Sequence, residues 1–210
     1  METEENVVKI TSRDDTELEG MLTPGHRDAG AVICHPHPQY GGSMHNNVVY
    51  AARDAFVEMG FWTLRFNFRG VGQSEGRFDG GAGEALDVAG ACDYLLSETA
   101  AKKTQVAAYS FGSYAFAIAV SKGLENAAGA LISPPVSFVD FSGLKLPAGR
   151  HLIVVGDRDD FCREPELSRW IDAQENGDAL IEKVVLKNVD HFYGGAEHEL
   201  QQVLGDFFAG

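Results

Sequence analysis

From residue 28 onward, short apolar runs alternate with segments of helical period, and few folds accommodate that alternation. Ala29–Cys34 is apolar throughout, as a strand covered on both faces must be. Residues 46–59 place Val48, Val49, Ala52, Phe56 and Met59 near helical spacing, and Gly60 is a stop signal. The reading continues with a strand at 62–68, a helix at 83–96, a strand at 104–108 and a small-residue helix at 113–120. Strands at 128–132 and 151–155, a helix at 164–174, a strand at 182–186 and a closing helix at 197–208 follow. Ahead of these, residues 7–10 and 17–22 flank the polar turn 13–16 and read as a hairpin. The pattern predicts an α/β fold: a mostly parallel sheet with helices on both faces and an antiparallel hairpin at one edge.

The chain has 210 residues, with no repeat, low-complexity stretch or linker, so residues 1–210 read as one domain. The net charge of −14 argues against nucleic-acid partners and anionic membrane surfaces, which attract basic patches. No apolar run is long enough to cross a membrane, and Met1-Glu2-Thr3-Glu4-Glu5 is acidic where a signal peptide would be basic. A cytoplasmic protein, monomeric or homodimeric, is expected. The three cysteines are odd in number and lack C-x-x-C spacing, so neither a disulfide framework nor a structural zinc site is expected. Cys34 and Cys92 fall in apolar stretches and read as buried, whereas Cys162 follows an acidic turn and reads as more exposed.

The segment Tyr109-Ser110-Phe111-Gly112 joins the strand at 104–108 to the helix at 113–120. A serine on such a sharp strand-to-helix turn is held out from the backbone at the end of the sheet. The turn crowds the positions two before and two after it, here the small residues Ala108 and Gly112. The bland reading of such a serine is a helix cap. The nucleophile reading requires a base and an orienting acid, because a serine hydroxyl is a poor nucleophile at neutral pH.

In an open parallel sheet those groups belong in loops beyond the carboxyl ends of the strands. Two loops qualify. Gly156-Asp157-Arg158-Asp159-Asp160 follows one strand, and Asn188-Val189-Asp190-His191-Phe192 follows the next. The chain order is then Ser110, an aspartate, His191. Asp157, Asp159 and Asp160 are the candidate acids, and each is also a plausible turn former. Asp190 adjoins His191, and neighbouring side chains on extended backbone point apart.

An anion hole would use the backbone N–H of Phe111 and a second N–H from the loop His35-Pro36-His37-Pro38-Gln39-Tyr40-Gly41-Gly42. The prolines carry no N–H, which leaves His37 first and Gln39 or Tyr40 as fallbacks. His35 and His37 also have H-x-H metal spacing, but Gln39 and Tyr40 are poor additional ligands, so no metal is expected. The loop Arg69-Gly70-Val71-Gly72-Gln73-Ser74-Glu75-Gly76 falls short of a dinucleotide fingerprint, with Glu75 where the third glycine belongs. It reads as a structural turn, and no cofactor is expected.

Collected, these residues resemble a small, lidless bacterial α/β-hydrolase of the dienelactone-hydrolase-like group. The resemblance spans almost the full chain. It rests on His35-Pro36-His37-Pro38 with Gly41-Gly42-Ser43-Met44, on residues 66–74, on Tyr109-Ser110-Phe111-Gly112, on Gly156-Asp157-Arg158-Asp159 and on Asp190-His191-Phe192. It implies the α/β-hydrolase fold without a cap domain and assigns the acid to Asp159, the fourth residue of the G-x-x-D turn. Dienelactone hydrolases use cysteine where this chain has Ser110, so a carboxylesterase or thioesterase acting on a small acyl ester or thioester is implied instead. The short stretch between Ile132 and His151 leaves no room for a cap. The expected pocket is open and edged by Tyr40, Phe138, Phe141, Phe161 and Phe192. The bland alternative for those aromatics is that they belong to the core. The competing expectation for the whole protein is a catalytically silent ligand-binding protein of the same fold.

Overall fold

A computed structural model of the chain describes residues 4–125, 127–174 and 179–209. Eight strands form one sheet: β1 (Asn6–Thr11), β2 (Glu17–Thr23), β3 (Ala29–Cys34), β4 (Trp62–Phe66), β5 (Lys103–Tyr109), β6 (Ala127–Ile132), β7 (Gly149–Gly156) and β8 (Ala179–Leu186). Their spatial order is β1-β2-β4-β3-β5-β6-β7-β8. The β1–β2 hairpin is antiparallel and β2 pairs antiparallel with β4, whereas every other pairing is parallel.

The helices are α1 (Asn47–Glu58), α2 (Ala82–Glu98), α3 (Phe111–Ser121), α4 (Glu164–Gln174) and α5 (Glu197–Ala209). Two apolar cores lie on opposite faces of the sheet. One is shared by the hairpin with α2, α3 and α4, through side chains such as Ile10, Val88, Phe116 and Trp170. The other is shared by α1 and α5, through Val48, Phe56, Leu200 and Leu204. The central strand β3 is buried at every residue, which is why it reads as an unbroken apolar run. Asn46 caps α1, its side-chain oxygen accepting from the Val48 N–H at 2.9 Å.

β4 stops at Phe66, not Phe68. The Phe68 N–H donates to His35 Nε2 and the Arg69 N–H to Asp87, so these residues leave the ladder for side-chain acceptors. β8 begins three residues earlier than the sequence suggests, because Ala179 pairs opposite Gly149 at the start of β7. Cys162 also departs from expectation. It is buried against the core that holds Leu167 and Trp170, and desolvation pushes its thiol pKa up.

No helix or strand occupies residues 133–148, so nothing there forms a lid. Among the described residues no helix is long and apolar enough to cross a membrane.

Candidate active site

Backbone strain gathers at one end of the sheet. The described non-glycine residues with positive φ are Asp15 in the hairpin turn and Ser110, Ser133, Asn188 and Tyr193. The last four all lie just beyond the carboxyl ends of β5, β6 and β8. Such strain persists only where the surroundings over-determine it, commonly at functional sites.

Ser110 occupies the turn from β5 into α3 at φ 52° and ψ −120°. Its N–H donates to the Ile132 carbonyl and its carbonyl accepts from the Ser113 N–H, each at 2.8 Å. The Ser113 hydroxyl closes the turn by donating to the Ala108 carbonyl at 2.6 Å. Gly112 is required by proximity: a Cβ there would sit 2.8 Å from the Cys34 carbonyl oxygen and 2.9 Å from that of His35. That contact seats the start of α3 against the end of β3.

The Ser110 hydroxyl lies 2.9 Å from His191 Nε2. His191 Nδ1 lies 2.9 Å and 3.0 Å from the two carboxylate oxygens of Asp159. All three residues are buried. Asp159 Oδ1 also accepts the N–H groups of Phe161 and Cys162, which fixes the carboxylate in its loop. The other candidate acids are engaged elsewhere or exposed. Asp157 accepts the Asn188 N–H, Asp190 accepts the Phe192 N–H, and Asp160 is exposed.

Two tyrosines to which the sequence reading gave no role hold the histidine loop. The Tyr109 hydroxyl donates to the His191 carbonyl at 2.7 Å. The Tyr193 hydroxyl donates to the Val154 carbonyl at 3.2 Å and lies 2.9 Å from the Ser133 hydroxyl. Burial pushes both phenol pKa values up, so both remain protonated donors. Tyr109 directly precedes the serine, and that position was the available signal.

The anion-hole candidates separate by what their N–H groups already do. The Gln39 N–H donates to His37 Nδ1, and the Tyr40 N–H donates to the His37 carbonyl. The N–H groups of His37 and Phe111 donate to no acceptor among the described residues. Phe111 is the first residue of α3, where an N–H has no intrahelical partner.

His35 fixes this loop from beneath. It is fully buried, its Nε2 accepts the Phe68 N–H at 3.0 Å, and its Nδ1–H donates to the Pro36 carbonyl at 2.6 Å. Those two bonds set the tautomer and pin the peptide plane whose other end is the His37 N–H. Both ring nitrogens are committed, which removes His35 from the H-x-H metal reading. Among the described residues no three His, Cys, Asp or Glu side chains are grouped to hold a metal.

Burial lowers the His35 pKa from 6.5 to about 4, against a smaller opposing pull from the Pro36 carbonyl. Between those values the unfolded chain binds a proton that the folded chain refuses. Stability should therefore fall as pH drops from 6.5 towards 4, by roughly 3 kcal/mol from this residue. Urea unfolding across that range should show a weaker pH dependence in His35→Gln, which keeps a donor and an acceptor but cannot titrate. Identical pH dependence in both proteins would refute the assignment.

The relay opens into a cavity of about 500 Å³. Tyr40, Phe138, Phe161 and Phe192 line it, together with His37, Tyr109 and Phe111. Phe141 does not. It is buried and packs on Tyr114 and Trp170, at ring-centroid distances of 5.4 Å and 5.2 Å. The sequence put Phe138 and Phe141 in one loop, but the fold turns one outward and the other into the core.

The glycine-rich loop after β4 is structural. Gly70, Gly72 and Gly76 all take positive φ, and Arg69 is tied to Asp87 and Asp14.

No protein-family model matches the chain. It is 33% identical over 183 residues to the uncharacterised protein RP471 of Rickettsia prowazekii, covering 84% of this chain and 77% of that one. An α/β serine hydrolase homologue from Coxiella burnetii superposes with a TM-score of 0.86 at 32% identity, covering 99% and 98% of the two chains. XC6422 from Xanthomonas campestris, described as an α/β serine hydrolase without a lid, superposes with a TM-score of 0.87 at 29% identity, covering 98% and 94%. The parallel sheet, the elbow after β5 and these full-length likenesses converge: the chain belongs to the α/β-hydrolase family, and it has no cap domain.

Proposed function

We propose that the protein is a serine hydrolase that cleaves small or short-chain carboxylic esters or thioesters through an acyl-enzyme. The observation that carries this reading is the unbroken line from Asp159 through His191 to the Ser110 hydroxyl, ending in an open cavity. His191 Nε2 takes the Ser110 proton as the hydroxyl oxygen attacks the acyl carbon. Asp159 holds the imidazole through Nδ1 and stabilises its charged form. The N–H groups of Phe111 and His37 receive the developing oxyanion, and losing one such donor typically raises the barrier by about 3 kcal/mol. His191 then hands the proton to the leaving group, and water repeats the sequence to free the acid and restore Ser110.

A short p-nitrophenyl ester tests this directly, together with a fluorophosphonate that labels activated serines. Turnover is expected, with the label found on the peptide that carries Ser110. Absence of both would leave the silent ligand-binding protein as the better description.

A further inference from the structure

Given the hydrolase reading above, on which this rests, we infer that the cavity selects its substrate through the leaving group, and that the group it takes is an aromatic alcohol without negative charge. The geometry of proton transfer fixes which wall meets the leaving group. The proton that His191 Nε2 accepts from Ser110 must pass to the departing oxygen, so that oxygen sits within hydrogen-bond reach of Nε2. Whatever it carries must then lie against the side chains that flank the imidazole on the cavity side.

Those side chains are aromatic rings. Phe161 lies 4.6 Å from the His191 ring, centroid to centroid, and Phe192 lies 5.7 Å from it. Phe138 extends the wall, 5.5 Å from Phe161. All three line the cavity. The opposite wall, built from His37, Tyr40 and Phe111, belongs to the anion-hole side.

Exposure points the same way. Among the described residues the exposed Phe, Tyr and Trp rings are Tyr40, Phe138 and Phe192; all border this mouth, and Phe138 and Phe192 stand on the leaving-group wall. Apolar rings left open to water at one place mark a site that expects a partner. Ring partners there favour offset or edge-on contacts of the kind Phe161 already makes with Phe138.

Charge completes the selection. Among the described residues no Asp, Glu, Lys or Arg lines the cavity. An anionic leaving group, such as a phosphate-bearing thiol, would find no counter-charge there and would meet a protein of net charge −14. The selection therefore favours neutral esters over thioesters of anionic carriers.

The test holds the acyl group constant. Benzyl acetate, ethyl acetate and 4-carboxybenzyl acetate are compared by kcat/KM, each normalised to its rate of alkaline hydrolysis. Benzyl acetate is expected to exceed each of the other two by about tenfold, the scale of one or two well-placed ring contacts. Phe138 and Phe192 are exposed, so their replacement leaves the folded core untouched. The double variant Phe138→Ala/Phe192→Ala is expected to shrink the benzyl-to-ethyl ratio at least threefold, by the same contacts. Equal rates for benzyl and ethyl acetate, faster turnover of 4-carboxybenzyl acetate, or an unchanged ratio in the double variant would overturn the inference. If those results came with fluorophosphonate labelling of Ser110, the hydrolase reading would stand and only the leaving-group selection would fall. No turnover of any ester together with no labelling would overturn both.

Discussion

Ser110→Ala is expected to abolish ester turnover, lowering kcat by about a millionfold, the scale on which serine hydrolases respond to loss of the nucleophile. The reason is local. The hydroxyl is the sole polar atom of that side chain, and it meets His191 Nε2 at 2.9 Å. Nothing else nearby can replace it: the Ser113 hydroxyl is committed to the Ala108 carbonyl inside the turn. A companion variant makes the result more informative. Ser110 sits at φ 52°, where a side chain costs about 1–3 kcal/mol and glycine costs little. Ser110→Gly should therefore be as inactive as Ser110→Ala but more stable, by about 1 kcal/mol in urea unfolding. Activity lost while stability rises separates a strained nucleophile from a helix cap, whose removal would destabilise. Hydrolysis persisting in Ser110→Ala would reject the mechanism.

The second large effect is on stability. Asp87→Ala should cost about 3–5 kcal/mol, because it strands the Arg69 guanidinium without its fully buried partner. Arg69 makes charge-assisted bonds to both Asp87 oxygens, the shortest at 2.7 Å, and the Arg69 N–H donates to the same carboxylate at 3.0 Å. On its other side Arg69 reaches Asp14 and the Ser12 hydroxyl. One guanidinium thus ties the hairpin turn, the loop after β4 and the buried face of α2. Desolvation opposes the charge on Arg69, but its bonds to Asp87 and Asp14 outweigh that and hold its pKa up. The Asp14 carboxyl is held well below the usual carboxylate range by its bond to Arg69. Replacing both partners with apolar residues, Arg69→Met with Asp87→Leu, should recover much of the loss, since a well-packed apolar pair avoids desolvating two charges. Urea midpoints at neutral pH for the singles and the double complete the cycle. A single-variant loss below about 1 kcal/mol would mean that the network contributes little beyond an exposed ion pair.

Much of the fold was legible because its signals are local. The unbroken apolar run of β3 and the helical spacing of α1 each arise from a few neighbouring residues. The elbow was legible because a tight turn constrains residues within two positions of the serine. Boundaries were less legible where a backbone N–H prefers a distant side chain. β4 ends early because His35 and Asp87 intercept the donors of Phe68 and Arg69, and nothing in residues 62–68 announces that.

The chain by itself determined the element order, the parallel sheet and the order of serine, aspartate and histidine, because periodicity and turn chemistry act over a few residues. Tertiary structure alone decided which groups are in fact free to act. It brought the Asp159 carboxylate to the His191 ring, while Asp157 and Asp190 cap neighbouring turns. It left the His37 N–H open by engaging those of Gln39 and Tyr40. It buried Cys162 and Phe141 and left Phe138 at the mouth. Each of these outcomes depends on where a side chain points once loops far apart in sequence have packed together, and that direction is set by long-range contacts that no local pattern encodes.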